Sequence, residues 1–251
     1  MAELIVIGSG TGVPSLRRGS PSLALITPSA KVWIDGGPGA LRKLLESGTS
    51  YLDVDLLLYT HIHPDHISDL VPLLFACRYA DQPRLKDLTC VGGQGFKHYF
   101  GQIEKLYGRW IDASSYRLTV EEAPDRPLPF KDFQMLTKRV AHMEESVAYR
   151  MEFQDGKSLV ISGDTEYCQN IVDLARESDL LVLECSFPNG KKVEGHLTPA
   201  LAGRIASESR SKRLLLTHFY PVCDQFDILT QCREIFAGEV ILAEDLLRMK
   251  V

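Results

Sequence analysis

The run His61-Ile62-His63-Pro64-Asp65-His66 follows directly on the apolar segment Leu56-Leu57-Leu58-Tyr59, and no other stretch constrains the chain as strongly. Three imidazoles and a carboxylate at the end of a strand-like run read as a metal site, against the plainer alternative of a histidine cluster on a polar loop. Imidazole and carboxylate suit zinc and its first-row neighbours, and with no thiolate in the run the site reads as hydrolytic rather than structural. In extended backbone His61 and His63 point the same way; a helix starting near Asp65 would turn Asp65 and His66 towards a second ion.

The remainder of the chain is that of an ordinary folded protein. Of 251 residues, 45% are hydrophobic and 24% charged, enough for a substantial core. A formal net charge of −5 gives no general electrostatic grip on nucleic acid or on an anionic membrane. Residues 1–20 show no apolar run with a cleavage site, and no stretch reaches the length of a membrane span. The six cysteines are scattered and none forms a CxxC pair, so they read as free, mostly buried thiols in a reducing cytoplasm.

Strand-like runs alternate with turn residues and amphipathic segments from end to end. Strands are expected at Leu4–Ile7, a hairpin at Ser22–Thr27 and Lys31–Asp35, and further strands at Val54–Tyr59 and Leu88–Val91. In the second half they are expected at Phe133–Val140, Val147–Phe153, Ser158–Ile161, Leu180–Glu184, Arg213–Thr217 and, as the last, Glu239–Leu242. Helices are expected at Ala40–Glu46, Asp69–Tyr79, Gln94–Tyr107, Ile171–Glu177, Pro199–Ser207 and Phe226–Phe236, and Glu121–Pro129 reads as a proline-rich connection. Two packed sheets with helices outside, an αββα sandwich of mixed α/β content, accommodate this order. With no repeat and no linker in view, residues 1–251 are drawn as one domain.

Three further metal-ligating residues each follow an apolar β-like run: His142, Asp164 after Ser162-Gly163, and His218 after Leu214–Thr217. Each alone is weak, since a lone histidine is commonly structural and an aspartate after glycine commonly forms a turn; the repeated setting is what counts. Together with the His61–His66 run, Gly163-Asp164-Thr165 and Thr217-His218, they resemble the ordered motif set of the metallo-β-lactamase superfamily. Gly8-Ser9-Gly10-Thr11-Gly12-Val13-Pro14-Ser15, Gly195-His196-Leu197-Thr198-Pro199-Ala200 and Leu215-Leu216-Thr217-His218-Phe219 narrow the resemblance to ribonuclease Z and its phosphodiesterase relatives.

The resemblance implies two divalent metal ions, zinc first and manganese or iron as alternatives. His61, His63 and His142 would hold one, Asp65, His66 and His218 the other, and Asp164 would bridge them. Two such ions about 3.5–4 Å apart can share a hydroxide that attacks a phosphodiester at neutral pH. Asp65 would orient or deprotonate that water, and His196 would protonate the leaving group, unless it is a helix-flanking histidine without a chemical task. Asp35 would stand behind the ligands, or be a plain turn aspartate; Glu184 would tune His196, or be a salt-bridged strand end. Read from the residues alone, Gly8, Gly10 and Gly12 would let backbone amides approach a phosphate, although without a Walker lysine they are no nucleotide-binding loop by themselves, and Arg17, Arg18 and Arg78 would meet an anionic substrate or simply solvate the surface.

One departure from the family pattern concerns the partner. Ribonuclease Z proteins carry a long arm for gripping tRNA between the motifs matched by His142 and Asp164, and here that interval is only 22 positions. The expected substrate is therefore a small anionic ester or phosphodiester rather than tRNA, with a homodimer as the assembly the resemblance suggests. Lactone, thioester, sulfate-ester and β-lactam hydrolysis are alternatives on the same site, followed by di-iron redox chemistry and a non-catalytic fold relative.

Overall fold

A computed structural model of the protein describes residues 2–79 and 81–251. The first half of the chain supplies strands β1 (Glu3–Gly8), β2 (Ser22–Ile26), β3 (Lys31–Ile34), β4 (Leu56–Leu58), β5 (Leu88–Gly92) and β6 (Leu118–Glu122). Between them lie helices α1 (Ala40–Glu46), α2 (Pro64–Ile67), α3 (Leu70–Tyr79) and α4 (Phe96–Tyr107). The second half supplies β7 (Leu128–Phe130), β8 (Phe133–Arg139), β9 (Val147–Phe153), β10 (Ser158–Ser162), β11 (Leu180–Glu184), β12 (Arg213–Thr217), β13 (Glu239–Leu242) and β14 (Arg248–Lys250). Its helices are α5 (Gln169–Leu174), α6 (Pro199–Ser209) and α7 (Ile228–Arg233).

The strands form two seven-stranded sheets, in the orders β14-β1-β2-β3-β4-β5-β6 and β13-β12-β11-β10-β9-β8-β7. Period-two alternation decides what each face meets. On β1, Leu4 and Val6 enter the core shared with the second sheet, whereas Ile5 and Ile7 pack beneath α1, α3 and α4. The unbroken Leu56-Leu57-Leu58 run follows from the same geometry, because Leu56 and Leu58 face the other sheet and Leu57 faces the helices. With α5, α6 and α7 covering the outer face of the second sheet, the layers are helix, sheet, sheet, helix, the expected αββα sandwich.

Strand direction positions the site. β3 to β6 run parallel, as do β10 to β13. β1 and β8 are each two antiparallel steps from β3 and β10, so they point the same way as those strands. The segments after β1, β3, β4, β8, β10, β11 and β12 therefore leave at the carboxyl ends of their strands, where open sheets of this kind place their ligand sites.

Three expectations about elements are corrected. The connection Glu121–Pro129 contains the end of β6 and most of β7. The latter is an edge strand, where Pro129 removes no essential ladder bond. The chain does not end its strands at Leu242, because β14 pairs with β1. The helix drawn over Phe226–Phe236 begins at Ile228, where the Asp227 carboxylate caps it by accepting from Thr230 N at 3.0 Å. No helix among the described residues is long and apolar enough to cross a membrane.

Buried Asp55 clamps the entry to β4. It accepts from Lys31 N at 2.9 Å and from Lys86 Nζ at 2.9 Å, and it also pairs with Lys131. Burial works against its charge, but the Lys131 and Lys31 hydrogen bonds outweigh it and hold the carboxyl below the usual range. A depressed folded value means that the contribution is present above the unfolded pKa, about 3.9, and is lost as pH falls through the folded value. Asp55→Asn is thus expected to lower the urea midpoint at pH 7, by about 1–3 kcal/mol of stability. The gap to wild type should shrink steadily below about pH 4; an equal gap at pH 7 and pH 3 would show that the charge contributes nothing.

Candidate metal centre

His61 leaves β4 and is 1% exposed. Thr60 Oγ1 donates to Asp35 Oδ2 at 2.8 Å, so it must accept from His61 Nδ1 at 3.0 Å. That assignment leaves the lone pair on His61 Nε2, which is buried and has no hydrogen-bond partner among the described residues. Burial, with the neighbouring His66, holds His61 well below the ordinary imidazole value, so it stays neutral.

The same logic fixes three other rings. His66 Nδ1 donates to Asp35 Oδ2 at 2.8 Å, His142 Nδ1 to Gly195 O at 2.9 Å, and His218 Nδ1 to Ser186 Oγ at 2.9 Å. Each Nε2 is then left facing the cup. His142 Nε2 lies 3.3 Å from His63 Nδ1, and His66 Nε2 lies 3.3 Å from His218 Nε2. With both Nδ1 hydrogens committed elsewhere, the facing His66 and His218 Nε2 atoms are reconciled by a cation or a proton held between them.

Asp164 sits in the middle, 3% exposed, after Gly163 at the end of β10. Its Oδ1 lies 3.2 Å from His218 Nε2 and 3.3 Å from His66 Nε2. Its Oδ2 lies 3.9 Å from His61 Nε2 and 3.9 Å from His142 Nε2. Asp65 completes the His66 side, with Oδ2 at 3.6 Å from His218 Nε2 and accepting from Gly12 N at 2.9 Å. The glycine loop after β1 thus contacts the cup through Asp65.

The protonation balance fits a site that gathers cations. Burial opposes charge on Asp164, yet His218 and His66 outweigh it and hold the carboxyl well below its ordinary value. Burial likewise opposes charge on His66, but Asp164 and Asp35 raise it well above the usual imidazole value. Asp65 is also held low, with the His218 and His66 contributions exceeding the cost of burial. An orphaned imidazole nitrogen, an orphaned carboxylate oxygen and facing lone pairs are what divalent-ion binding would satisfy, and nitrogen and oxygen donors suit zinc, manganese or iron.

Behind the cup stand the supports. Asp35, in left-handed backbone at φ 52°, holds His66 and Thr60 together. His218 is likewise left-handed at φ 59°, a strained conformation kept where packing over-determines it. Two glycines permit the close approach. A Cβ on Gly37 would meet Asp65 O at 1.8 Å, and one on Gly163 would meet Thr60 Oγ1 at 2.1 Å.

Glu184 is the hub of the second sheet's side. It accepts from His196 Nδ1 at 3.0 Å, Ser186 Oγ at 2.5 Å and Thr165 N at 3.0 Å. His196 therefore keeps Nε2 free, and its Nδ1 is 3.8 Å from Asp164 Oδ2. Burial works against its charge, but Glu184 first, then Asp164 and Asp65, raise it above the usual imidazole value.

All eight residues named from the sequence meet in this cup. Thr60, Ser186 and the Gly195 carbonyl are supports with no signal of their own in the sequence, although Thr60 adjoins His61, Ser186 follows Glu184 by two positions, and Gly195 opens the Gly195–Ala200 motif. The arginines named for an anionic substrate are engaged elsewhere. Arg17 pairs with Asp224 at 2.7 Å, and Arg18 bonds Ser9 and Ala243 O while covering the Phe219 ring. Arg78 bonds Asp112 and Ser114.

The sandwich and the cup define a metal-dependent hydrolase. Residues 30–219 match the profile described as the β-lactamase superfamily domain, and the chain belongs to that superfamily. Its relatives include the protein ML1173 of Mycobacterium leprae, of no described function, 30% identical over 93% of this chain and 82% of that one. Ribonuclease Z of Streptomyces avermitilis is 27% identical, covering 99% of this chain and 97% of its own length. The crystal structure of the metallo-β-lactamase fold protein YhfI from Bacillus subtilis superposes with a TM-score of 0.84 at 25% identity, over 99% and 98% of the two chains. The ribonuclease Z alignment spans 307 positions against 251 residues here, so at least 56 of them have no counterpart in this chain.

Proposed function

We propose that this protein is a dinuclear zinc phosphodiesterase acting on a small anionic diester. The observation that carries the reading is the divided Asp164 carboxylate, with Oδ1 towards His66 and His218 and Oδ2 towards His61 and His142. His61, His63 and His142 would hold one ion, and Asp65, His66 and His218 the other, with Asp164 between. When bound, the pair would neutralise phosphoryl charge and lower the pKa of a water to the neutral range. Asp65, fixed by Gly12 N, would orient that water and take its proton. His196 would hold a proton on Nε2 for the departing alkoxide, its Nδ1–H anchored on Glu184.

Phosphodiester chemistry is favoured by the kinship with ribonuclease Z, and tRNA is disfavoured by what lies between His142 and Asp164. The 21 residues between them hold only the Met143–Ser146 turn, β9, a second turn and β10, followed by Gly163. A reducing, cytoplasmic setting accords with six cysteines that are all free.

The protein purified as expressed should carry about two zinc or manganese equivalents and hydrolyse bis-(4-nitrophenyl) phosphate. Chelation should abolish turnover and re-addition should restore it. Less than one equivalent per chain, or hydrolysis of acyl esters alone, would overturn the reading.

A further inference from the structure

We propose that Tyr220 and Phe187 form a stacking platform for the nucleobase of a nucleotide diester, which rests on the phosphodiester reading and names its substrate class. Phe187 leaves β11 three residues after Glu184, and Tyr220 leaves β12 two residues after His218. Tyr220 N donates to Ser186 O at 3.4 Å, tying the two segments together. The two rings lie 4.6 Å apart, inclined by only 22°.

The pair abuts the reacting centre. The His196 ring lies 5.8 Å from Phe187 and 6.1 Å from Tyr220, edge-on to both. The His218 ring lies 6.0 Å from Tyr220, also edge-on. Both aromatic residues are half-buried, whereas the core pair Tyr59 and Phe96, at 5.6 Å, is 2% exposed on each side. A flat π surface is therefore presented beside the groups that would act on the phosphate.

What that wall offers is aromatic rather than cationic. Arg17 and Arg18 are both committed to Asp224. A heterocycle on a phosphodiester can extend a stacked pair without a hydrogen-bond code, because every base has a π face. The distance from Tyr220 to His196 and His218 is within the reach of one nucleoside.

Two esters with the same leaving group separate base recognition from chemistry. These are thymidine 5′-(4-nitrophenyl phosphate) and methyl 4-nitrophenyl phosphate, assayed with the metal-loaded protein. The kcat/KM preference for the thymidine ester should fall about tenfold or more in Tyr220→Ala and be retained in Tyr220→Phe. A purely structural role would lower both esters together, so a preference within about twofold of wild type in Tyr220→Ala overturns the platform. If wild type hydrolyses neither ester, the phosphodiester reading falls and the platform with it.

A binding measurement covers a poorly folding alanine variant. In metal-loaded Tyr220→Trp, AMP should quench the added indole fluorescence at about tenfold lower concentration than ribose 5-phosphate, which lacks only the base. Equal effects of the two ligands would overturn the proposal.

Discussion

Asp164→Asn is expected to fold, to retain fewer than two metal equivalents, and to lose at least about a thousandfold in phosphodiester turnover. The amide keeps the shape of the carboxylate but offers one acceptor in place of two. At present Oδ1 faces the His66 and His218 nitrogens and Oδ2 faces those of His61 and His142. Asparagine can serve one of those sets with its oxygen and must turn N–H donors on the other, where they repel a cation. Metal assistance is worth several kcal/mol of transition-state stabilisation, and each 1.36 kcal/mol is a factor of ten. Metal content per chain after gel filtration, circular dichroism and initial rates check this result. Two tightly held ions with turnover within tenfold of wild type would show that Asp164 does not join the two halves of the cup.

The second large effect belongs to Glu184. It is 1% exposed and accepts from three directions, which keeps His196, Ser186 and the residue after Asp164 in register. Through Ser186 it also orients His218. Glutamine cannot accept three such donors, because its amide nitrogen has no lone pair to offer. Glu184→Gln is expected to lower kcat by about 10–100-fold, the usual cost of losing a partner behind a metal ligand. It should do so with close to two ions still bound, since Asp164 and the six side chains proposed to share the ions with it all keep their donor atoms.

The pH profile gives that variant a separate signature. A carboxylate beside an imidazole favours the protonated ring, so its removal lowers the pKa of His196. A group that acts while protonated then loses its proton at lower pH, and the alkaline fall in kcat should move in the acid direction. An unchanged kcat and an unshifted alkaline limb would leave Glu184 as a mere strand terminus.

Much of the site is legible in the sequence because its signals are local. His61 to His66 lie within six residues, and the Leu56–Leu58 run that carries them is continuous because both of its faces are buried. The hairpin β2–β3 and the β9–β10 pair were visible in short apolar runs bounded by turn residues. Where the reading failed, the cause was non-local. β7 is three residues long with Pro129 in its middle, and it exists because Met135 and its neighbours in β8 offer a ladder at the sheet edge. β14 depends on β1, more than two hundred positions away. Neither has a periodic signal long enough to stand on its own.

The supports behind the ligands were partly hidden for the same reason. From sequence, Asp35 is equally a turn aspartate or a partner of the histidine cluster, and Glu184 equally a strand end or a partner of His196. Both questions turn on which rings come within hydrogen-bond reach, and no spacing in the chain encodes that. The aromatic wall of Phe187 and Tyr220 gave no pattern at all, since its rings come from two different strand ends and meet only across adjacent strands.

The sequence by itself determined the donor chemistry, the strand ends that carry it and the layered fold, because residue type and short-range periodicity act over a few positions. The tertiary structure alone decided that Nε2 faces inward on His61, His66, His142 and His218, how Asp164 divides its two oxygens, and what stands beside His196. These depend on parallel strands from both sheets delivering their carboxyl ends to one edge, where residues far apart in the chain come within about 3–4 Å of one another.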